Sequence, residues 1–125
     1  MKPMETKRQK QVARELQRVM GEIFQENSAE LFEGELVTIT DVMVTKDLLI
    51  AKFYISIFKE EKRDQFFDVI QANLIPLRKV LANKIRNSFR RVPEIEFMMD
   101  DTLDEVFKME QLFRSIKKDK GDNEA

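Results

Sequence analysis

Residues 69–93 carry Arg78, Lys79, Lys84, Arg86, Arg90 and Arg91 and not one acid, although the whole chain has a formal charge of −1. Charge is therefore segregated along the chain rather than abundant. Apolar spacing predicts a helix over Pro76–Arg91 that buries Leu77, Val80, Leu81, Ile85 and Phe89. On such a helix Lys79, Asn83, Arg86 and Arg90 fall at i, i+4, i+7 and i+11 and share one face, with Arg78, Lys84 and Arg91 flanking them. A row of ammonium and guanidinium groups on a rigid element suits phosphate, because the charges attract the backbone and an Arg can fork onto two oxygens. The same row would also serve as a solvated helix face, and Arg78 could instead cap or pair within the fold. A second row, Lys7, Lys10, Arg14 and Arg18, is predicted on the outer side of the first helix. There a cation for RNA and a cation for solubility look alike.

Other chemistry has little to work with. The chain contains no cysteine, so it has no disulfide, no thiolate nucleophile and no Cys-based zinc site. It also contains no histidine, which removes the commonest general base and the commonest metal ligand. Catalysis would rest on Asp, Glu, Lys or Ser, and no pair of these forms a recognisable constellation, so no enzyme is expected. Asp100, Asp101, Asp104 and Glu105 could be drawn as a magnesium site, but helix capping and dipole complementarity account for them better. Neither a metal nor a cofactor is expected. Phe53 reads as core; Tyr54, on the opposite strand face, is a candidate stacking platform. The sequence has no signal-type segment and no apolar run of membrane length, which leads us to expect a cytoplasmic protein without a membrane or small-molecule partner.

At 125 residues and 42% hydrophobic composition the chain is expected to form one domain over residues 1–117, with a polar, disordered tail over 118–125. The first helix is predicted over Met4–Glu26, burying Val12, Leu16, Val19, Met20, Ile23 and Phe24. Gly34 punctuates the connection that follows. Leu36–Val44 reads as a strand whose apolar phase slips from Val37 and Ile39 to Val42 and Val44. A bulge at Asp41 or burial on both faces would explain the slip. A turn at Thr45-Lys46-Asp47 leads to a second strand, Leu48–Phe58, with Leu49, Ala51, Phe53, Ile55 and Ile57 inward. A helix over Glu60–Asn73 then breaks near Leu74–Ile75, because Pro76 disfavours helix before it and suits a new first turn. Ile95, Phe97 and Met99 mark a third strand. Thr102 and Glu105 fit a capping box for a last helix through Ile116.

The resulting order, αββααβ with an additional C-terminal helix, is that of the bacterial (type II) KH domain. This α+β, KH-like fold places helices on one face of a three-stranded sheet. The local residues are more specific than the order. The hairpin Val37-Thr-Ile-Thr-Asp-Val-Met-Val-Thr-Lys-Asp-Leu48, continued by Ala51-Lys-Phe-Tyr-Ile-Ser56, resembles that of the ribosome-binding factor A family. So do Leu77-Arg-Lys-Val-Leu81, Arg91-Val-Pro-Glu-Ile-Glu-Phe97 and Asp100-Asp-Thr-Leu103. The resemblance spans about residues 7–116.

That resemblance implies a non-enzymatic assembly factor that binds the free small (30S) ribosomal subunit and its 16S rRNA during late maturation; a monomer is expected. The resemblance favours RNA contact for Lys79, Arg86 and Arg90 with Arg78, Lys84 and Arg91 flanking, and leaves the first-helix row Lys7, Lys10, Arg14 and Arg18 as candidates beside their solubility reading. Two departures stand out. The only glycines are Gly21, Gly34 and Gly121, and none lies in the GxxG loop with which a KH domain clamps nucleotides, so recognition would rest on shape and phosphate. The family's Ala-x-Gly kink between the two helices is replaced by Asn73-Leu74-Ile75, followed by Pro76. A reading from another class is a protein–protein adaptor using the acidic segments and a sheet edge, but an adaptor does not need the acid-free stretch.

Overall fold

The computed structural model describes residues 5–100. Helix α1, Lys7–Glu26, starts from a capping box in which the Thr6 hydroxyl accepts from the Gln9 amide and Gln9 Oε1 accepts from the Thr6 amide. Its apolar stripe, from Val12 to Phe24, is buried as the periodicity requires. Two glutamines on α1 reach strand β1, Val37–Val44: Gln9 Nε2 donates to the Val44 carbonyl at 2.9 Å and Gln17 Nε2 to the Ile39 carbonyl at 3.0 Å. The second of these carbonyls lies at a register shift between Ile39 and Asp41, so the slip in apolar phase is a β-bulge.

Strand β2, Ile50–Ile57, pairs antiparallel with β1 and parallel with β3, Glu94–Met99, so the sheet order is β1-β2-β3. Between α1 and β1 lies a short helix, α2 (Ser28–Phe32), that the sequence did not signal. It ends on Glu33 and Gly34, both at positive φ, where glycine is at home and glutamate is not. Between β2 and β3 a 3₁₀ turn, Glu60–Lys62, leads into α3, Arg63–Ala72, and then α4, Leu74–Ile85.

The core is a chain of phenylalanines crossing from helices to sheet. Phe24 meets Phe32 edge-on at 5.3 Å, Phe32 meets Phe66 at 5.6 Å, and Phe97 bridges Phe24 and Phe53 at 6.0 and 5.6 Å. Ile39, Val42, Val44, Ala51, Ile55 and Ile95 floor it from the sheet, and Leu77, Leu81 and Ile85 of α4 close it. Some expectations shift. Leu49 precedes β2 and is exposed rather than inward, and Val80 of α4 is also exposed. The expected C-terminal helix, its Thr102 cap and the tail lie outside the described residues.

Candidate nucleic-acid interface

The expected helix over Pro76–Arg91 is shorter and begins earlier. Asn73 ends α3 and starts α4: its side-chain amide donates to the Val69 carbonyl at 2.7 Å, and its own carbonyl receives the Leu77 amide at 2.9 Å. The break therefore falls at Asn73 rather than at Leu74–Ile75, with φ −103, which needs no glycine. Pro76 is the third residue of α4, where a missing N–H leaves no intrahelical bond unmade. At the other end, Ser88 and Phe89 turn back onto the Ile85 carbonyl, and Asn87 and Ser88 favour such turns over helix. Arg86 is thus the C-cap of α4, and Arg90 and Arg91 stand on the loop to β3. The i+7 and i+11 places of the expected stripe do not exist as helix.

Arg78 is built into the fold. Its Nε donates to the Pro93 carbonyl and its Nη2 to the Val92 carbonyl, both at 3.2 Å, with Glu94 Oε1 at 3.4 Å from Nη2. One guanidinium therefore fastens the far end of the 86–93 loop to α4, and the loop's exposed arginines sit on a tethered segment. Arg18 is also committed, to Glu22 at 2.9 Å and to Glu15 at 2.5 Å. Its pKa is raised further by the Glu15 hydrogen bond and then by the charges of both carboxylates. Lys84 Nζ lies 3.4 Å from Glu26 Oε1 at the end of α1.

The remaining candidates are free. Among the described residues Lys7, Lys10, Arg14, Lys79, Arg86, Arg90 and Arg91 are exposed, and their side chains make no hydrogen bond or ion pair. Helices α1 and α4 pack against each other, which puts the two basic segments on neighbouring elements. They do not fuse into one patch along α1: Lys84 is tied to Glu26, about 24 Å along the helix from Lys10. Tyr54, the candidate stacking platform, is half-buried on β2, and its hydroxyl donates to the Met43 sulfur at 3.6 Å.

Sequence reasoning overlooked one feature. At the hairpin end of the sheet a cleft of 440 Å³ is lined by Thr6, Gln9, Met43, Val44, Lys46 and Lys52 among others. Its lysines come from separate positions on β2 and the turn, and isolated lysines carry no periodic signal.

The sequence model of a family described as Ribosome-binding factor A matches residues 8–113. The Ribosome-binding factor A of Chlorobium luteolum is 37% identical over 119 residues, covering 94% of this chain and 98% of that protein. That of Cytophaga hutchinsonii is 36% identical over 121 residues, 97% of this chain and 91% of the relative. The crystal structure of ribosome-binding factor A from Thermus thermophilus shares the fold, with a TM-score of 0.61 at 24% identity over 73% of this chain and 94% of that one. A homology model of the Thermus thermophilus factor, fitted into a cryo-EM map of its complex with 30S, gives a TM-score of 0.55 at 26% identity, covering 71% of this chain and 91% of the other. With the family's sequence model matched across most of its length, and relatives above one-third identity end to end, the chain belongs to the ribosome-binding factor A family.

Proposed function

We propose that this protein binds the free small ribosomal subunit in the cytoplasm as a monomer, contacts its 16S rRNA and assists late maturation without catalysing a reaction. The observation that carries this reading is the set of uncompensated cations, Lys79, Arg86, Arg90 and Arg91 with Lys7, Lys10 and Arg14, in a family with a relative fitted into a 30S complex. Cations already neutralised by Glu15, Glu22 and Glu26 add little to phosphate binding; free ones release counterions when they meet phosphate. With no GxxG loop, recognition follows the shape of the folded rRNA. To favour one rRNA arrangement the protein must bind it more tightly than the alternative.

The test is co-sedimentation with free small subunits, assembled ribosomes and naked rRNA across a salt series. Binding to the free subunit that fades with salt and is lost in an Arg86→Glu/Arg90→Glu variant supports the reading; no binding at low salt sinks it. An adaptor would instead bind a protein through Leu36 and Phe58, which are 59% and 79% exposed at the open end of the hairpin, and would be insensitive to salt.

A further inference from the structure

Resting on the RNA-binding reading above, we propose that the cleft at the hairpin end of the sheet holds one extruded nucleotide, its base against Met43 and its phosphate between Lys46 and Lys52. At 440 Å³ the cleft is far larger than a bare phosphate requires and falls within the range of about 300–1,000 Å³ typical of small-molecule pockets. Its lining is of two kinds. Met43, half-buried on the strand face opposite the core residue Val44, gives apolar surface, and a methionine sulfur makes favourable contact with an aromatic ring. Lys46 and Lys52 supply charge, and neither side chain makes a hydrogen bond or ion pair among the described residues.

The walls are fixed before any ligand arrives. Gln9 is only 7% exposed and uses both ends of its amide, accepting from Thr6 and donating to Val44. Met43 is held by the Tyr54 hydroxyl, and the Thr45 hydroxyl is engaged with Asp47. Polar groups so committed cannot read a base edge, so the cleft should accept any base by stacking and volume. Asp47 neighbours Lys46 on the turn and stays anionic, with its Oδ1 accepting from the Thr45 hydroxyl and the Leu49 amide. A nucleotide presents both an aromatic ring and an anion, as this lining requires.

The experiment is NMR on the full chain with labelled methionine methyls, titrated separately with adenosine monophosphate, uridine monophosphate and inorganic phosphate. Both nucleotides should shift the Met43 methyl and the Val44 and Thr45 amides, while phosphate leaves Met43 unmoved. A Lys46→Gln/Lys52→Gln variant, changed only at side chains without partners, should keep the wild-type spectrum and lose salt-dependent nucleotide binding, about one unit of salt slope per lysine that meets phosphate. Phosphate reproducing the whole pattern, or nucleotides leaving Met43 unmoved, would overturn the proposal. Wild-type co-sedimentation, run in parallel, separates the two readings. Subunit binding with a silent Met43 removes the cleft alone, and absence of subunit binding removes the ribosomal reading itself.

Discussion

Arg78 and Arg90 differ by twelve positions and carry the same group, yet their surroundings give them opposite work. Arg78 satisfies two backbone carbonyls, so Arg78→Ala would leave both short of a partner and should destabilise by about 1–3 kcal/mol in urea unfolding. Glu94→Gln, which removes only the partly exposed ion pair, should change little. Equal losses from the two variants would show that the charge, not the carbonyl fork, matters. Arg90→Glu/Arg91→Glu should instead keep stability and weaken subunit sedimentation, whereas Arg18→Ala should leave sedimentation nearly intact because Glu15 and Glu22 already hold that charge. Asp47 titrates in a definite sense. The Thr45 hydroxyl and then the Leu49 amide favour its charged form and lower its pKa. It therefore supports the fold above the ordinary carboxylate range, and that support is lost as pH falls through the lowered value. Asp47→Asn should narrow the gap between urea midpoints measured at about pH 6 and about pH 3; an unchanged gap would mean that the turn does not discriminate between charge states. Which bases were free was only partly legible in the sequence. Glu15 and Glu22 stand at helical spacing from Arg18, but Glu26 is 58 positions from Lys84, and only the fold brings them together.

At the scale of elements, the strands were legible because alternation is local, and even the bulge announced itself as a slipped phase between Ile39 and Val42. Helix ends were not, because apolar spacing continues through Phe89 while the backbone turns at Ile85 to bring Phe89 back against the core. Helix α2 was missed altogether. Five residues are too few to show a period, and Phe32 looks like any loop aromatic until Phe24 and Phe66 enclose it. Phe32→Ala should accordingly cost about 3–5 kcal/mol, far more than a loop position would, as read from the urea midpoint. Helix α1 offers the opposite change. Gly21 lies in its interior with no neighbouring heavy atom within 4 Å of where an alanine methyl would sit, so Gly21→Ala should stabilise by about 1 kcal/mol. A lower melting temperature would mean that α1 needs a bend there.

For the molecule as a whole, salt and pH should act very differently. Lys7, Lys10, Arg14, Lys79, Arg86, Arg90 and Arg91 lack partners among the described residues, and if all seven met phosphate the affinity would fall with salt with a logarithmic slope on the order of 5. No histidine or cysteine is present, so apart from a terminal amine no ordinary side-chain pKa of this chain falls between about pH 6 and about pH 7.5. RNA phosphates keep their charge across the same interval. Sedimentation with free small subunits at constant ionic strength should therefore be flat across that interval, while a fourfold rise in salt at fixed pH should nearly abolish it. Because Arg18 and Lys84 are already paired, replacing them should leave the slope almost unchanged, whereas each free cation that meets phosphate should lower it by roughly one when removed. A pH response as large as the salt response would place the governing contacts on titrating groups rather than on these cations, and a slope insensitive to Arg90 and Arg91 would move the interface off the loop that Arg78 fastens.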